Sequence, residues 1–318
     1  MSAAKIDASL LNTTTEIAMT SPTKAAKVIE KGVRVKRLSL LSSEDLRTPL
    51  IAWPTIAVSA GSLAVWASIL YYGAHKRRVP AWLSFPVMTA AIFASFTPVH
   101  DATHYSVAKG KYKVEINELV GTLSGFPLMI PFGAYRQLHL LHHRYVNEPE
   151  RDPDHWDATG PNILRPFKWF FPDFFWVSDA VRGRVKRPQV LQGLVFYAFF
   201  FAVLRRMHQK NMAYVKYWLV PLKMAHWLLV WLFAYVPHKM GEASGNIYKT
   251  TSVTGGILRS DGLNLAIPLL NQHLHNIHHL YPQLPFTHYS AIWQKHKDAL
   301  IGAGTEIHAV YTHENKWL

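Results

Sequence analysis

The chain has 318 residues, of which 49% are hydrophobic and 17% are charged, with a formal net charge of +14 and no cysteine. Without cysteine, disulfides, zinc–thiolate sites, iron–sulfur clusters and a cysteine nucleophile are excluded, so histidine and carboxylate must supply any metal ligands. The composition is apolar for a soluble chain and indicates membrane spans. Because the basic residues flank apolar runs, membrane-surface charge explains them better than a nucleic-acid partner.

Residues 1–49 form a polar tail rich in Ser, Thr, Ala and Lys. The tail has no apolar core and no small-residue cleavage site near its start, so a cleaved signal peptide is not expected. Segment 24–41 is consistent both with a basic amphipathic helix on anionic lipid and with a flexible tail. The chain is therefore predicted to consist of this tail and a membrane domain over 50–318.

Four apolar runs are predicted to cross the membrane as helices, over about 50–72, 80–99, 190–204 and 217–236. The run 119–135 contains three glycines and two prolines, which predicts a re-entrant or interfacial segment instead. Four spans place both termini and all the histidine motifs on one side. The basic loops favour the cytosolic side, although 75–78 and 205–210 are basic as well.

Histidines recur at helical spacing in three stretches: H-D-A-T-H at 100–104, H-L-L-H-H at 139–143 and H-N-I-H-H at 275–279. Residues three and four apart share one face of a helix, so the rings at 139 and 143, with 142 beside them, are predicted to face one point. Scattered surface histidines are the alternative. Three such motifs, each beside or after an apolar run, are hard to obtain in that way.

Nine histidines are therefore the candidate metal ligands: His100, His104, His139, His142, His143, His238, His275, His278 and His279. His238 has no partner in the sequence and is included because it ends the fourth predicted span on the side of the motifs. A zinc ion takes about four ligands, so nine candidates indicate two metal ions. Imidazole suits zinc, copper, iron and nickel, which leaves the identity of the metal open.

Polar residues next to the motifs are candidates for orienting the ligands. Asp101, Asp152 and Asp154 could accept the outer N–H of a ligating ring, and the alternative for them is helix capping. His155 and His273 could be ligands or supporting groups, and Asn271 could be a supporting group. These six residues are Asp101, Asp152, Asp154, His155, Asn271 and His273.

Two ionisable residues, Lys223 and His226, fall inside the fourth predicted span. Lys223 can extend to the interface, whereas an ionisable residue within a span is a functional candidate. His226 precedes His238 by twelve residues, about 18 Å along a helix. It is therefore too far away to share a metal ion with His238 and is predicted to be a candidate for the substrate pocket.

The three histidine stretches resemble the histidine boxes of the membrane fatty-acid desaturase superfamily. The flanking sequences H-H-R-Y-V-N-E-P-E-R-D-P-D and H-H-L-Y-P-Q-L-P-F are similar too, and the resemblance covers about residues 95–290. It implies an all-α integral membrane protein with about four transmembrane helices. It also implies a cytosolic helical cap that holds a histidine-rich dimetal site, with two iron ions as cofactor and O2 as co-substrate.

Within the superfamily the subclass is open. V-P-H-K at 236–239 resembles an element of carotenoid ketolases, while the tail of the third box resembles acyl-lipid desaturases. Acyl-CoA desaturases carry an asparagine four residues before the histidine that ends the fourth span, and here Ala234 occupies that position.

The resemblance implies oxidation of C–H bonds in a long hydrophobic substrate, foremost a fatty acyl chain, with a carotenoid ketolase or hydroxylase as the alternative. No G-x-G-x-x-G and no haem-attachment motif is present, so a separate ferredoxin or cytochrome b5 type donor is expected. A divalent-metal transporter is an alternative of another class. It predicts ionisable residues lining a path inside the spans, whereas the motifs stand at span ends.

Overall fold

The computed structural model describes residues 40–208, 213–243, 246–255 and 265–309. The chain divides into two compact units, Met1–Leu46 and Arg47–Leu318. In the described part of the first unit, the Asp45 carboxylate accepts hydrogen bonds from the backbone N–H and the hydroxyl of Ser42. The predicted amphipathic helix at 24–41 lies almost entirely outside the described residues. Everything below concerns the second unit.

Among the described residues, three helices are long and apolar enough to cross a membrane: Trp53–His75, Ala81–Thr103 and Val215–His238. They contain 23, 23 and 24 residues, whereas about 20 suffice for the hydrocarbon core of a bilayer. The first consists of α1 (Trp53–Ile69) and a π-helical turn, Leu70–His75. The second is α2 (Ala81–Thr103), which packs against α1. Both lie close to the predicted spans 50–72 and 80–99.

The run 119–135 folds as parts of two helices that meet at a tight turn. Helix α3 spans Lys113–Leu128 and helix α4 spans Phe132–Tyr145, with Met129 in the left-handed region at φ 54° between them. The Ile130 N–H donates to the Gly125 carbonyl (3.0 Å), and a Cβ on Gly125 would lie 2.7 Å from the Ile130 carbonyl oxygen. Glycine is therefore required where the chain reverses.

One 3-10 turn and three helices follow α4. A 3-10 turn, His155–Ala158, precedes α5 (Arg165–Lys168), α6 (Pro172–Val181) and α7 (Arg187–His208). The predicted span 190–204 lies within α7, which extends beyond it at both ends. Helix α7 is not among the three apolar helices found in the described part of the chain. A total of four spans therefore stays a prediction.

The last long helix, Val215–His238, is continuous but changes its winding three times. It consists of a π-helical turn, Val215–Leu219, then α8 (Val220–Leu229), a second π-helical turn, Val230–Tyr235, and α9 (Val236–His238). The π turns widen the helix by one residue each, a local feature that occurs often at functional sites. The apolar core lies between this helix, α2 and the α3–α4 pair, and includes Met88, Ile92, Leu128, Leu222 and Phe233.

The C-terminal part of the unit mixes short helices with one small sheet. It contains the 3-10 turns Ile247–Lys249, Gln272–Leu274 and Phe286–His288, with α10 (His275–Leu280) and α11 (Tyr289–Ala303). Strand β1 (Ser252–Gly255) pairs in parallel with β2 (Glu306–Ala309), with Ser252 opposite Glu306. The fold is thus mostly helical, as predicted, with a two-stranded sheet that the sequence analysis did not predict.

Candidate metal centre

The nine candidate histidines gather into two groups. One group consists of His100, His104, His139, His143 and His278, and the other of His142, His238, His275 and His279. Within each group the nearest ring nitrogens all lie within 4.8 Å of one another. The groups adjoin, because the rings of His143 and His279 stack with their centroids 4.2 Å apart.

Helical spacing explains how each motif divides between the groups. Residues four apart lie one above the other on a helix, so the pairs 100/104, 139/143 and 275/279 each stay within one group. His142 and His278 each stand one residue before the second member of such a pair, about 100° around the helix, and face the other group. The prediction that the rings of 139, 142 and 143 face one point is therefore wrong for His142.

The ring nitrogens face one another at short distances. His143 Nε2 lies 3.1 Å from His139 Nε2 and 2.9 Å from His278 Nε2. In the other group, His275 Nε2 lies 3.1 Å from His238 Nε2 and 3.0 Å from His279 Nε2. A neutral imidazole donates from only one nitrogen, so lone pairs converge here and repel one another unless a cation lies between them.

Unpartnered nitrogens lead to the same conclusion. Among the described residues, both ring nitrogens of His100 and the Nε2 of His104 are buried without a hydrogen-bond partner. Leaving a buried polar atom unpaired is costly, and a metal ion removes that cost. The donor set therefore fits two metal ions with nitrogen ligands and no thiolate, the chemistry that suits iron, copper, nickel or zinc.

Three polar side chains accept hydrogen bonds from the Nδ1 atoms of candidate ligand histidines and so orient the rings. Asp152 Oδ1 accepts from His142 Nδ1 at 2.9 Å, and Tyr289 Oη accepts from His278 Nδ1 at 3.1 Å. Asn147 Oδ1 accepts from His238 Nδ1 at 3.2 Å, while its Nδ2 donates to the Thr250 carbonyl. With Nδ1 protonated in this way, each ring presents the lone pair of Nε2 to the centre.

Burial keeps most of these rings neutral. It lowers the pKa of five ligand candidates well below 6.5, and repulsion from neighbouring histidines lowers it further; the five are His139, His143, His275, His278 and His279. Burial also lowers the pKa of His142, but the Asp152 carboxylate outweighs it and raises the pKa to about 9. The carboxylate that stabilises a proton on this ring would equally stabilise a cation at its Nε2.

The other predicted supporting residues lie at different distances from the centre. Asp154 Oδ2 is 3.8 Å from His142 Nδ1, beyond hydrogen-bond distance. Asp101 Oδ2 accepts from the hydroxyl of Thr55 (2.8 Å) and from the Phe286 N–H, so it ties α2 to α1 and to the third motif.

The remaining three predicted supporting residues are structural neighbours of the centre. Asn271 has φ 59° and bonds to the Phe286 carbonyl and to Ser290, which fixes the turn before α10. His273 is buried in the 3-10 turn before α10, and His155 begins the 3-10 turn after the second motif. Neither histidine belongs to the two groups.

An apolar cavity of about 70 Å³ lies against both groups. Five candidate ligands border it, namely His100, His139, His142, His238 and His275, and most other wall residues are aromatic or aliphatic, such as Phe96, Leu229 and Phe233. The last long helix contributes residues 226, 229, 230, 233, 234 and 238, which are three or four apart, so one face of this helix forms a wall.

His226 lies in this wall and outside both histidine groups. It is buried, its Nε2 donates to the Leu128 carbonyl at 3.0 Å, and the Trp176 ring meets its ring edge-on at a centroid distance of 6.0 Å. The expectation that His226 does not join the metal site of His238 agrees with this position.

Several site residues were not predicted from the sequence. Asn147 and Tyr289 each orient a ligand, and Tyr135 and Trp176 line the cavity. Asn147 follows the second motif by four residues, as Asp152 does by nine, so its position next to the motif was an available signal. Tyr289 and Trp176 stand in helices that give no sign of the centre in the sequence.

The fold and this centre define a class: a mostly helical protein with apolar helices of membrane-spanning length and a histidine-rich site suited to two metal ions. The family model for fatty acid desaturase matches residues 78–311. The chain belongs to the fatty acid desaturase family. The resemblance stated from the three histidine boxes is thereby confirmed.

Three curated relatives show how far the similarity reaches. The sn-1 oleoyl-lipid 12-desaturase of Synechocystis sp. is 28% identical over 60% of this chain and 58% of its own length. The dihydrorhizobitoxine desaturase of Bradyrhizobium elkanii is 26% identical over 68% of this chain and 67% of its length. The sn-1 acyl-lipid omega-3 desaturase (ferredoxin) of Nostoc sp. is 32% identical over 25% of this chain and 22% of its own length. The chain thus matches about three fifths of the length of the Synechocystis relative.

Proposed function

We propose that the protein is a membrane-bound, O2-dependent oxidoreductase that uses two iron ions to oxidise C–H bonds of a long hydrophobic substrate, foremost a fatty acyl chain. The observation that carries the proposal is the convergence of nine histidine nitrogens into two adjacent groups beside an apolar cavity. Membership of the desaturase family and relatives named as lipid desaturases support iron, O2 and an acyl substrate.

In this proposal the nine histidines hold the iron ions, one beside each group. When bound, the iron pair would supply the oxidising chemistry, with O2 as co-substrate, that removes hydrogen from an unactivated C–H bond. Asp152, Asn147 and Tyr289 hold three of the ligand rings in the tautomer that leaves Nε2 free. The chain therefore contributes a fixed set of nitrogen donors that needs no rearrangement when the metal binds.

The apolar cavity is the proposed binding site for the reacting part of the substrate. Its wall along the last long helix places an alkyl chain against His100, His139 and His238, which positions C–H bonds next to the metal centre. A transport path for cations requires polar groups along its length, whereas Phe96, Leu229 and Phe233 make this wall apolar. The cavity thus favours oxidation of a hydrophobic chain over metal transport.

Electrons would come from a separate donor of the ferredoxin or cytochrome b5 type, as the name of the Nostoc relative suggests for that protein. We place the histidine groups on the cytosolic side, with the polar tail 1–49 and the membrane domain 50–318 as the two parts of the chain. In this arrangement α7 is the fourth span, next to Trp53–His75, Ala81–Thr103 and Val215–His238.

The proposal is tested by lipid and pigment profiling of a heterologous host, with the gene, without it, and with the His278→Ala variant. We expect new unsaturated or oxygenated acyl products that need air and that disappear in the variant. A new keto- or hydroxycarotenoid would assign the substrate to pigments. Metal accumulation without any new product would overturn the oxidoreductase proposal in favour of transport.

A further inference from the structure

A second apolar groove lies beside the metal-lined cavity. It has a volume of about 170 Å³ between α4, α6 and α7, and its apolar wall includes Leu138, Val177, Val181, Val190 and Leu194. Three of these side chains are strongly exposed on the outer surface, with 51% for Val177, 83% for Val181 and 62% for Leu194. An exposed apolar rim of this kind marks an interaction site for a hydrophobic partner or ligand.

The groove and the metal-lined cavity share two wall residues, Tyr135 and Trp176. The two rings meet edge-on with their centroids 6.2 Å apart. On the cavity side, Tyr135 stacks on His139 at 5.4 Å and 14°, while Trp176 stands edge-on to His226 at 6.0 Å. The same aromatic pair therefore lies between the two spaces and contacts His139 and His226 on the side of the metal-lined cavity.

We propose that the groove between α4, α6 and α7 holds the part of the substrate's alkyl chain that lies beyond the reacting carbons, and that Tyr135 and Trp176 form the passage between groove and cavity. The occupant is an alkyl chain, because the groove adjoins a cavity whose wall is mostly apolar, and because the groove has no charged lining residue while those of the cavity, Asp154 and His142, lie at the metal centre. The inference rests on the proposed function and adds a second binding site for the same substrate.

Gly193 makes the proposal testable, since it lines the groove on α7. A Cβ built on Gly193 would meet only Pro131, at the ordinary contact distance of 3.7 Å, so a larger side chain can enter the groove without a backbone clash. Gly61 on α1 is the matched control, because a Cβ there meets nothing within 4 Å among the described residues.

The experiment compares turnover of dodecanoic and octadecanoic substrates by wild type, Gly193→Ala, Gly193→Leu and Gly61→Leu. Filling the groove with leucine removes space for several methylene groups, so we expect the preference for the longer chain to fall about tenfold or more. Gly193→Ala should cause a smaller shift, and Gly61→Leu should leave the preference unchanged. An unchanged preference in Gly193→Leu would overturn the proposal.

The passage is tested separately with Trp176→Ala and Trp176→Phe. The alanine variant widens the proposed passage, and we expect its preference to move toward the longer chain, while phenylalanine should retain the wild-type preference. The opposite shift, or none, would contradict a passage at this pair.

A binding measurement separates failure of this inference from failure of the proposed function. A fatty acid with a diazirine near its methyl end is photolysed with the full chain, and the labelled peptides are identified by mass spectrometry. Labels in 177–181 and 189–197 that excess unmodified fatty acid suppresses would support the groove even if no oxidised product forms. Oxidised product together with labels only outside these segments would overturn the groove and leave the proposed function standing.

Discussion

At the scale of single residues, hydrogen bonds to Nδ1 select the nitrogen that three of the candidate ligand rings present to the centre. His142 shows this most clearly, because its Nδ1 is bonded to a buried carboxylate and its Nε2 faces His279 at 3.4 Å. Asp152 is itself fixed, since its Oδ2 accepts from the Asn147 N–H and its Oδ1 accepts from the Asp154 N–H. The orientation of the ligand is therefore set by the loop that follows the second motif.

Replacing this carboxylate should weaken metal binding at the group of His142. We expect Asp152→Asn to lower iron affinity about 10- to 100-fold, since loss of such a supporting group typically has that effect. The loss of affinity is measured as the iron content per chain after dialysis against increasing concentrations of a chelator. Asp154→Asn is the matched control, because Asp154 Oδ2 lies 3.8 Å from the ring and should matter much less. Equal losses in both variants would contradict the assignment to Asp152.

His226 provides a second prediction at this scale. It lines the cavity but belongs to neither histidine group, so His226→Ala should retain its iron while changing the turnover or the position of oxidation. His238→Ala should instead lose iron from one group. Iron analysis and product analysis on the same preparations distinguish the two. An unchanged product and rate in His226→Ala would exclude it from the substrate pocket.

The sequence predicted the residues of the centre better than their arrangement. All three boxes reveal a shared helix face by an i, i+4 spacing, and the nine candidates are the nine residues of the two groups. It could not assign His142, because the direction of that ring depends on which neighbour α4 packs against. It also could not connect His238 to Asn147, which lies 91 positions away along the chain.

At the scale of elements, the position of α4 depends on the reversal between α3 and α4. Glycines and prolines in 119–135 predicted a break, but not that the segment forms two ordered helices around one left-handed residue, Met129. The π-helical turns Leu70–His75, Val215–Leu219 and Val230–Tyr235 were not predicted either. Each adds one residue to a turn of an otherwise ordinary apolar helix, which leaves no pattern in the residue types.

The reversal itself can be tested at Gly125. A Cβ at this position would lie 2.7 Å from the Ile130 carbonyl oxygen, so Gly125→Ala should destabilise the protein by about 1–3 kcal/mol through overpacking. Thermal unfolding in detergent measures the change, and we expect reduced iron retention because α4 carries three ligands. Gly61→Ala, in open space on α1, should unfold at or slightly above the wild-type temperature. Equal stability of the two variants would contradict a tight turn.

The two β-strands are too short to be predicted from the sequence. Strands β1 and β2 contain four residues each and are 50 residues apart in the chain, so no alternation long enough to predict them exists. Their pairing connects the segment after the last long helix to the C-terminal end of α11. The sheet therefore contributes to holding α10, with three ligand candidates, near His238.

At the scale of the whole molecule, the proposal requires the histidine groups to share one side of the membrane. The natural absence of cysteine allows single-cysteine labelling without background. We expect Lys76→Cys, between the first two apolar helices, to react with an impermeant maleimide in intact cells. Lys111→Cys and Asp298→Cys should react only after permeabilisation. Labelling of Lys111→Cys in intact cells would contradict the cytosolic placement.

The central claim is that histidines from three separate motifs, with His238, hold a pair of iron ions. Its most direct test is the metal content of the purified full-length chain, combined with Mössbauer spectra of protein grown on iron-57. The account predicts about two iron ions per chain for two groups of ligands, together with a spectrum of two high-spin sites, and loss of one site in His238→Ala. Metal-replete protein that contains no iron, or a single iron unaffected by that substitution, would contradict it.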